Sequence, residues 1–305
     1  MKLLVFDIGS NSVRTARLTT DELGLPQLSG KRVYTTRLAE GLSETGALSQ
    51  SRILQSLLVI RSVHAELAAQ GFLSYAYATS AVRDASNGLD FIASVEQIIG
   101  KSHARILTGA EEAAFAQQGA DPDRTHTIID IGGGSTQIVR ATSRESWPIG
   151  CVRAKDLAPY DDLAMISSAL YPILSGLFGP PDFDARPDRA TVSGGKLSMA
   201  EQLLGVGGTI TTLALLCEGQ TSFLPWKGEK RIEFPALRAV LGALSDMGDA
   251  ARARIPLLKD RHDIILHGGA ILQYLMEKLS CMHIDATLSD GLDGYAMHLY
   301  HTLSR

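Results

Sequence analysis

Cysteine is scarce in this 305-residue sequence, where Cys151, Cys217 and Cys281 are the whole supply. An odd number without paired spacing excludes a disulfide framework or a thiolate zinc site, and points to a reducing compartment. Long apolar runs are missing too. None reaches the ~18–20 residues of a membrane-spanning helix. The chain enters an apolar strand at Leu3 with no basic region or cleavable stretch before it, so a cytoplasmic location without membrane contact is expected. Neither charge sign dominates: 29 Lys and Arg against 33 Asp and Glu give a net charge of −4. That balance argues against a general binder of nucleic-acid polymers or membrane surfaces, though a small basic site for an anion remains compatible with it. Low-complexity segments are absent, and none of the 8 histidines has ligand spacing or is given a catalytic role.

What is present fits an α/β enzyme rich in tight turns: 45% hydrophobic residues, 20% charged residues and 29 glycines. The length favours two domains. The stretch Leu3-Leu4-Val5-Phe6-Asp7-Ile8-Gly9-Ser10-Asn11-Ser12 reads as a buried strand delivering a carboxylate into a Gly/Ser turn. Thr127-Ile128-Ile129-Asp130-Ile131-Gly132-Gly133-Gly134-Ser135-Thr136 repeats it 123 positions later (130 minus 7). Two related half-molecules serving one phosphate site are therefore expected.

Strands are expected at 3–6, 13–18 and 31–36 as an antiparallel meander, followed by a helix over 49–69 with Ser49 as N-cap. A strand at 72–79, a helix at 87–99 capped by Asn87 and a strand at 103–107 continue in βαβ fashion. The polar segment 120–124 marks the boundary, giving domains 1–120 and 121–289, with a C-terminal helix within 290–305 expected to pack back on the first. The second half starts over with strands at 128–131, 136–141 and 146–149, then a helix over 161–178, a proline-rich rigid loop at 180–187, strands at 190–193 and 202–206 and a helix at 210–216. Its remainder reads as mostly helical, at 235–247, 263–279 and 294–303.

Glycines and small hydroxyls let successive backbone N–H groups point into one concavity and approach an oxyanion. A carboxylate beside bound phosphate is repulsive unless a divalent cation lies between them, so Asp7 and Asp130 imply Mg²⁺ or a similar cation. Gly207-Gly208-Thr209 is a third such turn. Thr108 and Glu111 form a capping box, which gives Glu111 a structural task and leaves Glu112 to accept a proton from water. Arg83, ending a strand with hydroxyls, suits phosphate oxygens or a salt bridge to Asp84 or a neighbour. Asp290-Gly291-Leu292-Asp293-Gly294 lacks a calcium-loop pattern and reads as a turn before the last helix.

In series, Asp7–Ser12, Leu38-Ala39-Glu40-Gly41-Leu42, Ala78-Thr79-Ser80-Ala81-Val82-Arg83, Gly109-Ala110-Glu111-Glu112-Ala113, Asp130–Thr136, Gly207–Thr209 and Arg261-His262-Asp263-Ile264-Ile265 resemble the exopolyphosphatase/guanosine pentaphosphate phosphohydrolase family. The resemblance covers nearly the whole chain and implies the actin/hexokinase/Hsp70-like fold. That is two ribonuclease-H-like domains with an active site in the cleft between them, in the short form without additional C-terminal domains. By the same resemblance Glu112 is the base for the attacking water, Asp130 holds the metal with help from Asp7, and Arg83 stabilises the transferred phosphoryl group. The phosphates are bound by Gly9, Ser10, Asn11 and Ser12 and by Gly132, Gly133, Gly134 and Ser135, with Gly207, Gly208 and Thr209 as a further turn. Two departures stand out: Gln137 where the family usually has Glu, and Gly291-Leu292-Asp293-Gly294 where it usually reads Gly-x-Arg-Glu-Gly.

The leading expectation is a metal-dependent exopolyphosphatase, with guanosine pentaphosphate as a second candidate substrate and a homodimer as the family-based assembly. A weakly active or non-catalytic sensor of polyphosphate or guanosine tetra- and pentaphosphate is the alternative raised by Gln137 and Asp293. An ATP-dependent kinase of the same superfold ranks third, because no second-substrate site stands out.

Overall fold

The computed structural model describes residues 1–181 and 202–304. The chain divides into two compact units, one of Met1–Pro122, Arg144–Ser146 and Ser289–Arg305, the other of Asp123–Ser143 and Trp147–Leu288.

The first unit runs β1 (Lys2–Ile8), β2 (Ser12–Thr20), β3 (Pro26–Thr35), α1 (Leu42–Thr45), α2 (Gln50–Ala68), β4 (Leu73–Ala78), α3 (Ser80–Asp84), α4 (Gly88–Ile99), β5 (Ala104–Ile106) and α5 (Gly109–Ala120). Its sheet has the order β3-β2-β1-β4-β5. β1 pairs antiparallel with β2 and parallel with β4, so it is covered on both edges and both faces. That position explains its unbroken apolar run, since a strand buried on both faces has no solvent side to alternate with. α2 buries Ile60, Val63 and Leu67, one stripe at helical spacing.

The second unit runs β6 (Thr127–Ile131), β7 (Thr136–Val139), the Trp147 end of β8 (Arg144–Trp147), α6 (Cys151–Leu157), α7 (Leu163–Phe178), β9 (Leu203–Val206), α8 (Gly207–Cys217), β10 (Glu229–Glu233), α9 (Phe234–Met247), α10 (Asp249–Arg252), α11 (Ile265–Lys278) and β11 (His283–Thr287). Its sheet order is β10-β11-β9-β6-β7-β8. β6 repeats the place of β1, antiparallel to β7 and parallel to β9. Leu170, Leu213, Leu241, Ile271 and Leu275 fill its core.

The last helix, α12 (Gly291–Leu303), belongs to the first unit. It crosses α5 at two glycines. A Cβ on Gly119 would stand 1.9 Å from the Asp290 carbonyl oxygen, and one on Gly294 would stand 2.0 Å from that of Phe115. Leu292, Tyr295 and Leu299 join Phe115, Leu3 and Val5 in one apolar cluster. The crossing fixes α5, the helix that carries Glu112.

Several expectations change on contact with the structure. The C-terminal third holds two strands as well as helices. β10 is charge-rich and buries only Ile232, and β11 is short, so neither shows a clear alternation in sequence. Ser49 and Asn87 occupy N-cap positions without capping bonds from their side chains. Asn87 instead accepts from the Leu48 N–H at 2.8 Å and donates to the Leu48 carbonyl at 2.9 Å. The strand expected at 190–193 and most of the 180–187 loop lie outside the described residues. No helix among the described residues is long and apolar enough to cross a membrane.

Candidate active site

The two Asp–Gly/Ser turns have the same geometry. The Gly9 N–H donates to the Ser12 carbonyl at 3.0 Å, and the Gly132 N–H donates to the Ser135 carbonyl at 3.0 Å. A Cβ on either glycine would stand 3.2 Å from that carbonyl oxygen. In both turns the chain's own amides engage the carbonyl side. The N–H of Ala39 donates to the Ser10 oxygen at 2.9 Å, and those of Thr36 and Arg37 donate to the Asn11 oxygen at 3.1 and 2.8 Å. In the second unit the first turn of α6 does this, with Cys151 N–H to the Gly132 oxygen at 2.9 Å and Val152 N–H to the Gly133 oxygen at 2.8 Å. Carbonyls satisfied in this way are kept from facing an anion, which is what a backbone phosphate cradle needs. Ser10 is also tied to α3, its hydroxyl 3.2 Å from that of Ser80.

In the first unit Glu112 and Arg83 come together. The Arg83 Nη1 donates to Glu112 Oε2 at 3.1 Å and to the Leu107 carbonyl at 2.8 Å, with Asp84 at 3.6 Å from Nε. Glu111 forms the capping box, accepting from the Thr108 N–H at 2.9 Å. That backbone bond, helped by Arg105, holds its carboxyl below the usual range. Glu112 is left with its side chain 18% exposed.

Asp7 sits at the end of β1 and is only 3% exposed. Its cross-strand neighbour is Arg14, which donates through Nε at 2.8 Å and pairs through Nη2 as well. Arg14 also pairs with Asp290. Lys31 reaches Asp293 at 2.6 Å and Asp290 at 3.7 Å. Burial pushes the Asp7 carboxyl up, with Arg14 opposing. Burial also opposes ionisation of Asp290, but Arg14 and Lys31 outweigh it and hold that carboxyl below its ordinary value. Asp293 is raised by burial and by the Asp290 charge. Asp290 and Asp293 form the capping box of α12, so the stretch expected as a simple turn is the start of the helix itself.

In the second unit Asp130 stands against the start of α8. Gly207 has φ +84°, and a Cβ there would lie 2.5 Å from Asp130 Oδ1. One on Gly208 would lie 2.4 Å from Arg261 Nη1. The two glycines therefore admit a carboxylate and a guanidinium to one backbone turn. Gln137 occupies the cross-strand position opposite Asp130 and donates from Nε2 to the Ser135 hydroxyl at 2.9 Å. Cys151 is buried near Thr209 and Arg261. Burial pushes its thiol up, which makes it a packing residue rather than a reactive thiolate.

Among the described residues no group of three or more His, Cys, Asp or Glu side chains is arranged to hold a metal ion. Mg²⁺ does not require one, because it keeps several waters and binds through one or two carboxylates plus substrate phosphates. Asp130, in the cradle that a Cβ on Gly207 would fill, suits that mode. Asp7 is already neutralised by Arg14.

The structure thus groups Glu112 with Arg83, and Asp130 with Gly207, Gly208 and Arg261. The sequence reading gave no role to Arg14, Lys31 or the Asp290/Asp293 pair. The repeat offset carried a signal for the first: 137 minus 123 is 14, so Arg14 and Gln137 are the same position of the hairpin in its two copies.

A meander of antiparallel strands continued by parallel strands, built twice, is the actin/hexokinase/Hsp70-like fold. Its two units are ribonuclease-H-like. Residues 19–291 match the Ppx/GppA phosphatase family, and the chain belongs to that family. Exopolyphosphatase 2 of Mycobacterium tuberculosis is 28% identical over 334 residues, covering 98% of this chain and 98% of that protein. Exopolyphosphatase 1 of Mycobacterium bovis is 26% identical over 321 residues, covering 96% and 87%. Among solved structures, an exopolyphosphatase-like protein superposes with a TM-score of 0.85 at 21% identity, covering 99% of this chain and 100% of that one. An Aquifex aeolicus Ppx/GppA family member gives 0.74 at 21% identity, covering 100% and 99%. These structures share the fold.

Proposed function

We propose that this protein is a divalent-cation-dependent exopolyphosphatase that releases terminal orthophosphate from inorganic polyphosphate. The observation that carries the reading is the pair of Gly/Ser turns that share one closing hydrogen bond, from the glycine N–H to the serine carbonyl, and whose carbonyls are engaged by the chain itself. The names of the relatives agree with it. Glu112 takes a proton from water, the water oxygen forms a bond to the terminal phosphorus, and the bridging P–O bond breaks in line. The electron pair leaves on the chain shortened by one phosphate. Arg83, released from Glu112 towards the substrate, bears the charge of the transferred phosphoryl group. Mg²⁺ or another divalent cation held by Asp130 would neutralise charge on the phosphate oxygens. The turns at Gly9–Ser12, Gly132–Ser135 and Gly207–Thr209 bind and orient those oxygens through backbone N–H groups.

Phosphate release from polyphosphates of graded length, and from guanosine pentaphosphate, with and without Mg²⁺, tests the reading. Turnover is expected on polyphosphate with Mg²⁺ and is lowered about 10²–10⁴-fold by Glu112→Gln. Turnover that survives this substitution unchanged would overturn the assigned base. A second reading, a sensor that binds guanosine tetra- or pentaphosphate or polyphosphate without turnover, is favoured by Gln137, an uncharged amide beside Asp130. Tight binding with no phosphate release under Mg²⁺, Mn²⁺ and Ca²⁺ would select it.

A further inference from the structure

Arg252 is 1% exposed and is the largest fully buried side chain among the described residues. A buried guanidinium must have its donors satisfied, and the way this one is satisfied is informative. Nη1 donates to the Leu244 carbonyl at 2.8 Å and Nε donates to the His262 carbonyl at 3.1 Å. Nη2 pairs with Asp161 and lies 3.4 Å from Asp249 Oδ1. The ring then closes on itself. Asp249 Oδ1 is 2.7 Å from His262 Nδ1, and the Asp249 N–H donates to Asp161 Oδ2 at 3.0 Å. The next residue along, Asp263, accepts from Lys155 Nζ at 2.5 Å. Lys155 is on α6, the helix whose first turn holds the carbonyls of Gly132 and Gly133.

Three of these links end on residues 262 and 263. His262 is held through both its carbonyl and its ring, and Asp263 through its carboxylate. Arg261, one step before, is the residue whose guanidinium lies against Gly208 at the start of α8. Such a ring is more than a core needs, because apolar packing of similar volume stabilises a fold at least as well as a buried ion cluster. What it supplies is a fixed backbone at one turn.

We propose that Arg252 is a positioning residue for phosphate binding. Through the His262 carbonyl and the Asp249–His262 pair it holds the 261–263 turn so that Arg261 stands at the Gly207–Thr209 turn. The proposal rests on the reading that this turn binds phosphate.

Tripolyphosphate binding by calorimetry, in full-length protein carrying Glu112→Gln to prevent turnover, tests it alongside KM and kcat in the otherwise unmodified protein. Arg252→Lys probes the staple directly. Because that variant risks misfolding, His262→Ala is the decisive one, since it removes the ring contact without emptying the core. His262→Ala is expected to weaken tripolyphosphate binding about tenfold and to raise KM with kcat changed less than about threefold. The thermal midpoint should stay within a few degrees. His262→Asn, which keeps a donor for Asp249, is expected to restore binding. His262→Ala added to Arg261→Ala should cost nothing further, because both act through one guanidinium. Wild-type binding with His262→Ala unaffected, or fully additive losses in the double variant, would overturn the positioning role alone. Absence of tripolyphosphate binding by the Glu112→Gln parent would overturn the phosphate reading, and this proposal with it.

Discussion

Asp7 and Asp130 end equivalent strands before equivalent turns, yet the residue opposite each is different. Arg14 faces Asp7 and pairs with it, whereas Gln137 faces Asp130 and hydrogen-bonds Ser135. Across its own hairpin the first acid faces a counter-ion, itself shared with the cap of α12, and the second faces an amide. Under the proposed function, the internal repeat keeps the cradle while dividing the tasks of its two carboxylates. In the first unit the acid is part of the scaffold that seats a turn. In the second it is the acid suited to a cation.

The sharpest way to break that contrast is to neutralise each acid in turn. Asp130→Asn is expected to lower Mg²⁺-dependent phosphate release by at least about 100-fold, several kcal/mol of charge stabilisation. Asp7→Asn is expected instead to lower stability by about 2 kcal/mol through weaker bonds to Arg14, with turnover reduced less than about tenfold. Phosphate-release kinetics over an Mg²⁺ titration, with urea unfolding of both variants, decide it. Equal kinetic losses at the two sites would erase the division.

Arg14→Gln, which gives the first hairpin the residue found in the second, is expected to destabilise the fold by about 2–3 kcal/mol at neutral pH because it leaves Asp7 buried without its counter-ion. The pH dependence has a definite sign. Asp7 already has a raised carboxyl, and Arg14 is what opposes the rise. Without it the folded-state value climbs further above the unfolded one. The folded state then binds more protons than the unfolded state between those two values, so the variant loses stability as pH rises through that window. Asp290 adds to the same trend. Arg14 helps to hold its carboxyl low, and that contribution is present above the unfolded value and lost in acid. Unfolding curves at pH 5 and pH 8 should show the larger deficit at pH 8, and a deficit that grows towards acid would contradict the assigned role.

How much of this was legible beforehand depended on the range of the interaction. The strand of Asp7, the α2 stripe and the Thr108–Glu111 box are set by residues close in sequence, and the box alone separated Glu111 from Glu112. Arg14 was not read because its meaning lies in cross-strand pairing and in Asp290, which is 276 residues away. Asp293 stands where the family usually has Arg-Glu. In the structure it completes the i, i+3 capping box of α12 and also pairs with Lys31, a long-range partner that no local pattern announces. Arg252 was invisible for the same reason, since a basic residue in a polar stretch gives no hint of complete burial.

The smallest expected effect comes from Gln137→Glu, which makes the neighbour of Asp130 acidic. Two consequences oppose each other. Like charges directly opposite on paired strands destabilise by about 0.2–1 kcal/mol, so the metal-free protein should lose a little stability. A second carboxylate beside Asp130 raises the charge offered to a cation, and Mn²⁺ affinity should rise about threefold to tenfold. The same carboxylate exchanges a donor for an acceptor at Ser135, turning that hydroxyl's proton towards residue 137. Thermal unfolding with and without Mn²⁺ separates these effects: the variant should melt below the parent without the ion and above it with saturating ion. A variant whose melting point the ion raises no more than it raises the parent's would mean that Asp130 is not where the cation binds. The two hairpins would then differ in their counter-ions without differing in task.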